Sequence, residues 1–179
     1  IDISNAYILS ELDVELYMKP PIGLRDYYKS IGKPFPEGEV RLKMLRSIYG
    51  LHQSGFLFAQ VLKRALMKLG FRETSEPCLY VRTEDDGSTS MIAVYVDDCV
   101  ISFKNLDVMT KFKIALEASD ELRGSSIKDL GEVHHLLGVH VGYNREKGSF
   151  TLNQKAYLEK LYARFDLRCF DKQKTPMSK

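Results

Sequence analysis

The chain has 179 residues, 44% hydrophobic and 28% charged, with a formal net charge of +2. These are the proportions of a folded globular protein, either one domain or two small lobes sharing a core, and a charge so near balance says little about nucleic acid. Three cysteines, Cys78, Cys99 and Cys169, stand far apart without a C-x-x-C pair, which argues against a disulfide framework and a cysteine zinc site and fits a reducing intracellular setting.

No apolar run approaches bilayer length, so no membrane partner is expected, and no signal segment opens the chain. Ile1 stands directly ahead of a charged motif and reads as a cut from a longer polypeptide.

In chain order, IDISNAYIL at 1–9 predicts a strand end running into a loop or short helix at Ser4 and Asn5. Prolines and glycines crowd residues 19–39, which predicts loop with one short helical turn. RLKMLRSIYGL at 41–51 returns to order. From Ser54 to Leu69, apolar residues recur at Leu57, Phe58, Val61, Leu62, Ala65, Leu66 and Leu69, an amphipathic helix ended by Gly70.

CLYVRTEDDGSTSMIAVYVDDCVISF at 78–103 predicts a hairpin turning at Asp86-Gly87, with a second strand that runs through Asp97-Asp98. Residues 107–123 return to helical period, capped by Asn105 or Asp107. After Gly124, HHLLGVHVGYNREKGSFTLNQ alternates as two strands around a turn at 144–148, and KAYLEKLYARFDL closes with a helix. The order β, α, β-β, α, β-β, α predicts an α+β fold, with helices packed on an antiparallel sheet.

Two acidic pairs invite comparison. Asp85-Asp86 sits in TEDDGSTS, a turn that explains itself. Asp97-Asp98 interrupts MIAVYV and CVISF, where an unpaired charge is costly to desolvate. A tight turn, an ion pair with Lys or Arg, or a bound divalent cation would each compensate it. Asp2, after a β-branched residue and five positions before Tyr7, supplies a third carboxylate of similar character. Three aspartates on neighbouring strands could hold two Mg²⁺ ions about 3.5–4 Å apart for in-line attack at phosphorus.

At this point the residues resemble a known family. YVDD at 95–98 resembles the reverse transcriptase signature, and DISNAY at 2–7 resembles the first aspartate motif of those enzymes. YMKPPIGL at 17–24, SIYGLHQSGFLF at 47–58, DLGEVHHLLGVHV at 129–141, and LNQKAYLEKLYARF at 152–165 with TP at 175–176 resemble further blocks of the copia-type retrotransposon enzymes. The resemblance implies a polymerase palm over residues 1–179, with part of the fingers at about 19–70 and the start of a connection to the thumb at about 165–179.

The implied activity is RNA- and DNA-templated addition of deoxynucleotides to a primer 3′ hydroxyl, using two Mg²⁺ ions or Mn²⁺ in their place. Implied partners are template-primer, dNTP and the integrase and RNase H segments of a polyprotein. The implied location is a cytoplasmic virus-like particle with access to the nucleus.

Carried over by residue, the resemblance implies that Asp2 and Asp97 bridge the metals, that Asp98 supports them, and that the Ile3 carbonyl completes one shell. Tyr7 is then the steric gate against a ribose 2′ hydroxyl, although it also reads as a plain core tyrosine. Gly50 and Gln53 line the templating base and incoming nucleotide, with Gly50 reading equally as a helix-entry glycine. Leu136, Leu137 and Gly138 correspond to the hairpin that grips the primer, though as bare sequence they are a strand. Lys128 falls in a loop where a lysine can protonate the leaving pyrophosphate.

His134, His135 and His140 lack a companion carboxylate and read as surface or core residues. Lys111, Lys113, Lys155, Lys160 and Arg164 read as a solvated helix face that could reach phosphates. His52, Gly55 and Phe58 depart from the family pattern around the nucleotide pocket, which bears on affinity and turnover more than on the fold. The basic fingers strands and a complete thumb are absent from the 179 residues, so this segment alone is expected to be inactive. A non-catalytic remnant keeping the palm fold and binding RNA is the alternative reading.

Overall fold

The computed structural model describes residues 1–165, which divide into two compact units, one spanning Ile1–Asp129 and one beginning at Leu130. The connection expected at about 165–179, the TP pair at 175–176 and Cys169 lie outside the described residues, apart from Phe165 itself. Among the described residues, no helix is long and apolar enough to cross a membrane.

In the first unit, β1 (Asp2–Ile3) leads into a short 3-10 helix at Ala6–Leu9. There follow β2 (Tyr17–Met18), α1 (Leu24–Ser30), β3 (Leu42–Lys43), α2 (Ser54–Lys68) and β4 (Arg72–Glu73). The rest comprises β5 (Leu79–Thr83), β6 (Thr89–Tyr95), β7 (Asp98–Ser102), α3 (Leu106–Glu117), a 3-10 turn at Asp120–Leu122 and β8 (Ile127–Lys128). Six of these strands form one antiparallel sheet in the order β4-β5-β6-β7-β1-β8, and β2 pairs with β3 separately. The α+β class read from the sequence is therefore the observed one.

Strand alternation sorts the six-stranded sheet into two faces. Ile3, Tyr80, Ile92 and Cys99 point into the core, where they meet the buried stripe of α2, namely Phe58, Val61, Leu62, Ala65 and Leu66, and Phe112 and Leu116 of α3. Phe71, Phe103 and Phe112 pack ring against ring, with centroids 5.2–6.3 Å apart. Met91, Ala93 and Tyr95 of β6 alternate with these core positions and are exposed. Asp98 and Asp2 lie in register on the same side as Tyr95.

The α2 stripe follows the spacing in the sequence, and the helix stops where Gly70 takes a φ of +84°, a conformation open to glycine at little cost. Arg82 reinforces that end: its Nη1 donates to the Leu69 carbonyl at 2.8 Å, and its guanidinium lies 4.6 Å from the centre of the Phe71 ring. At the start of α3, the Asn105 side chain accepts from the Asp107 N–H at 2.8 Å, so Asn105 is the cap. The helix ends at Glu117 rather than running to 123. Ser119 is extended, and Leu122 turns back to be fully buried, so tertiary packing overrides the helical period there.

Three further differences bear on function. The strand expected to run through Asp97-Asp98 is two strands, β6 and β7, folded back on each other. Lys128, expected in a loop, lies on β8. Residues 41–51 yield only the two-residue β3 and an isolated bridge between Glu11 and Arg46.

The second unit holds β9 (His135–Leu136), β10 (Val139–Asn144), β11 (Ser149–Asn153) and α4 (Lys155–Phe165), with the strands in the order β11-β10-β9. Leu137 and Gly138, expected inside a strand, form the two-residue turn between β9 and β10, with φ of 50° and 78°.

Candidate active site

Tight pairing places the aspartates. β6 and β7 pair from Met91↔Ser102 to Tyr95↔Asp98, leaving only Val96 and Asp97 to make the reversal. Val96 takes a φ of +55°. For a β-branched residue this is a costly conformation, of order 1–3 kcal/mol, and such strain concentrates at functional sites. Of the explanations open for Asp97-Asp98, the tight turn is realised. Among the described residues no ion pair joins Asp2, Asp97 or Asp98 to a cation.

The turn alone does not account for the pair, because β1 brings a third carboxylate beside it. Cys99 N donates to Ile1 O at 2.9 Å, Ile1 N donates to Cys99 O at 2.8 Å, and Ile3 N donates to Asp97 O at 3.0 Å. Between these rungs Asp2 faces Asp98 directly, at a position without backbone hydrogen bonds, where opposed side chains share a face and come closest. Two like charges so placed repel. On its other side Asp2 faces Lys128, which is exposed.

The charges of these carboxylates also bear on Cys99, which lies on the core side of β7. Burial first, and then the negative charges of Asp98, Asp97 and Asp2, push its thiol up to about 12. Cys78, by contrast, is exposed. Iodoacetamide at pH 8 should therefore label Cys78 in the folded protein and leave Cys99 unmodified until denaturant is added. Peptide mass spectrometry reads both sites, and fast native labelling of Cys99 would contradict the buried placement.

An oxygen-only set of carboxylates suits a hard divalent cation, which commonly takes one or two carboxylates and completes its shell with water and substrate phosphate. The Asp2–Asp98 pair with Asp97 alongside fits that pattern. Among the described residues no group of three or more His, Cys, Asp or Glu side chains is close enough to hold an ion unaided. The Asp85-Asp86 pair behaves differently. Asp86 accepts from the Ser88 N–H and hydroxyl and pairs with Lys104 at 3.3 Å. These contacts, the Ser88 hydroxyl first, hold its carboxyl down at about 2.

Tyr7 lies on the 3-10 helix after β1. Its ring meets Tyr49 edge to face at 4.6 Å, and its carbonyl accepts from the Ser47 hydroxyl at 2.5 Å. Ser47 N donates to Ser10 O at 3.0 Å, and Ser54 Oγ donates to Ile48 O at 2.6 Å. These bonds tie the loop carrying Gly50 and Gln53 to the segment carrying Tyr7. Gly50 has a φ of +97°, and a Cβ there would meet nothing within 4 Å, so its backbone angle is what calls for glycine. Ile3 is buried, with its side chain in the core.

Phe58, placed near the nucleotide pocket by sequence, is instead fully buried in the core on α2, so it bears on stability. Leu136, Leu137 and Gly138 belong to the second unit. Sequence reasoning missed Tyr49 as the neighbour of Tyr7, and β8 as the strand beside Asp2. Tyr49 stands next to Gly50 in the chain, whereas a two-residue strand leaves no periodic signal.

Residues 1–179 match the family model described as reverse transcriptase (RNA-dependent DNA polymerase). The chain is 26% identical over 179 residues to the retrovirus-related Pol polyprotein from transposon TNT 1-94 of Nicotiana tabacum, covering 99% of this chain and 12% of that protein. It is 28% identical over 178 residues to a transposon Ty5-1 protein of Saccharomyces cerevisiae, covering 99% and 53%. It is 29% identical over 170 residues to the transposon Ty1-DR1 Gag-Pol polyprotein of the same yeast, covering 90% and 8%. The chain thus spans about half the length of one of these relatives and about a tenth of the others. No solved structure matches.

Proposed function

Because the chain belongs to the reverse transcriptase (RNA-dependent DNA polymerase) family, we propose that it is the palm-centred catalytic segment of a transposon Pol polyprotein, extending a primer 3′ hydroxyl with deoxynucleotides on RNA and DNA templates. The observation that carries this reading is the register of Asp2 against Asp98 beside the strained turn that holds Asp97.

In this reading Asp2 and Asp97 would hold two Mg²⁺ ions, supported by Asp98 and the Ile3 carbonyl. Bound there, the ions supply charge neutralisation at the triphosphate and a lowered pKa for the attacking hydroxyl. The chain's own residues do the rest. The β6–β7 turn presents Asp97 at the rim of the sheet, and β1 holds Asp2 opposite Asp98 with no loop between them to relax. Lys128 donates a proton to the departing pyrophosphate from the strand beside Asp2.

Tyr7 packs against the sugar of the incoming nucleotide, Gly50 and Gln53 border its base, and Leu136, Leu137 and Gly138 grip the primer end. Residues at about 19–70 belong to the fingers, and those at about 165–179 start the connection to the thumb. Integrase and RNase H segments of the same polyprotein, and a cytoplasmic virus-like particle, complete the setting.

The steric gate gives the test. In the polyprotein polymerase, Tyr7→Ala should raise ribonucleotide incorporation at least tenfold relative to dNTP incorporation, measured by single-nucleotide primer extension. Tyr49→Ala, which removes only the ring that Tyr7 leans on, should give a smaller rise in the same direction. Unchanged selectivity in Tyr7→Ala would remove Tyr7 from the nucleotide pocket, and no primer extension by the unaltered polyprotein would end the polymerase reading.

A further inference from the structure

The second unit carries a convergent pair of ligands of a different chemistry. β9 and β10 are joined by the two-residue turn Leu137–Gly138, and His135 faces His140 one rung beyond it. On the following rung the Val141 N–H donates to the His134 carbonyl at 2.8 Å. The His135–His140 rung is therefore one without backbone hydrogen bonds, where facing side chains come closest. The two exposed imidazoles meet edge to face, with ring centroids 5.0 Å apart.

On the other side of His140, its register partner on β11 is Asn153, whose Nδ2 lies 3.2 Å from His140 Nδ1. Gly142, two residues along β10, leaves room on the same face. A Cβ there would lie 3.6 Å from His140 Cε1 and 2.9 Å from Thr151 Oγ1.

We propose that His135 and His140 form a two-imidazole site for a divalent transition-metal ion of the Zn²⁺ or Cu²⁺ class, clamping β9 to β10. Imidazole nitrogen suits these ions, whereas Mg²⁺ prefers carboxylate oxygen, so ligand type separates this site from the aspartates. Two imidazoles bind without a third side chain, and water fills the remaining positions.

Asn153 supports the site from behind. Ligation through His140 Nε2 leaves the ring proton on Nδ1, which then needs an acceptor. The Asn153 amide turns over to offer Oδ1, giving up the 3.3 Å bond it accepts from the Lys155 N–H at the start of α4. The site stands independently of the polymerase reading.

The test is a Zn²⁺ titration of the whole chain, followed through the nitrogen resonances of its four histidine rings. The expected result is that His135 and His140 shift to saturation at one ion per chain, while His52 and His134 stay in place and report an intact fold. The Lys155 amide shifts with the pair although it touches no ion, and Mg²⁺ at the same concentration moves none of the rings. His135→Ala and His140→Ala each weaken binding at least tenfold. Asn153→Asp, which supplies a fixed acceptor and keeps an oxygen for the Lys155 N–H, tightens it about tenfold. No saturable shift, an equal shift of His52 or His134, undiminished binding in either alanine variant, or weaker binding in Asn153→Asp would each overturn the proposal.

Discussion

Asp97→Asn in the polyprotein polymerase should lower Mg²⁺-dependent primer extension at least a thousandfold, with the protein folded as before. The substitution keeps the size and turn tendency of the side chain and removes its charge. The β6–β7 turn survives it because the turn is fixed by the Tyr95↔Asp98 rung and by the Ile3 N–H donated to the Asp97 carbonyl, a backbone group. What is lost is one of the charges that would offset the cations at the triphosphate. A thousandfold corresponds to about 4 kcal/mol of transition-state stabilisation, the scale expected of electrostatic catalysis in a partly desolvated site.

Asp2→Asn should cost as much. Asp98→Asn should cost less, since Asp98 supports the site beside them. Asp86→Asn is the internal control: that carboxylate is engaged by Ser88 and Lys104, and its loss should leave activity within about twofold. Full extension by Asp97→Asn would instead remove Asp97 from the catalytic site.

Phe58→Ala should destabilise the first unit by about 3–5 kcal/mol, the range for removing a large aromatic side chain from a core. Phe58 is 0% exposed and lies on the face of α2 that packs against the sheet. The cavity would open behind the strands that hold Asp2 and Asp98 in register, so loss of stability and loss of activity should appear together. Phe56, two residues earlier on the same helix, is 65% exposed, and Phe56→Ala should change stability by no more than about 0.5 kcal/mol. Urea unfolding of the two variants compares them directly, and equal midpoints would contradict the assignment of the α2 core face.

The elements most legible in the sequence were those that carry their own local signal. The α2 stripe repeats over 15 residues, so its period, its buried face and its end at Gly70 were all readable. The Asp86-Gly87 turn and the Asn105 cap carry side chains whose hydrogen bonding is local. Val96 carried no such signal. Valine favours extended backbone, and its φ of +55° is imposed by β6 pairing with β7 rather than chosen by the residue. Leu137, at +50°, was hidden in the same way.

β1, β4 and β8, with two residues each, are too short for alternation to register, and they exist because longer neighbours or each other's edges pair with them. Asp2, Asp97 and Asp98 could thus be singled out as candidates from the sequence, while the register that makes Asp2 face Asp98 and Lys128 could not.

The central claim is that this register makes a seat for metal ions at the three aspartates. The measurement that tests it most directly is anomalous diffraction from crystals of the polymerase grown with template-primer, an incoming nucleotide and Mn²⁺ in place of Mg²⁺. The account predicts two anomalous peaks, both touching Asp2 and Asp97, with Asp98 beside them and nucleotide phosphate completing the coordination. Ordered nucleotide with no peak at these aspartates, or with the ions held by other residues, would contradict it.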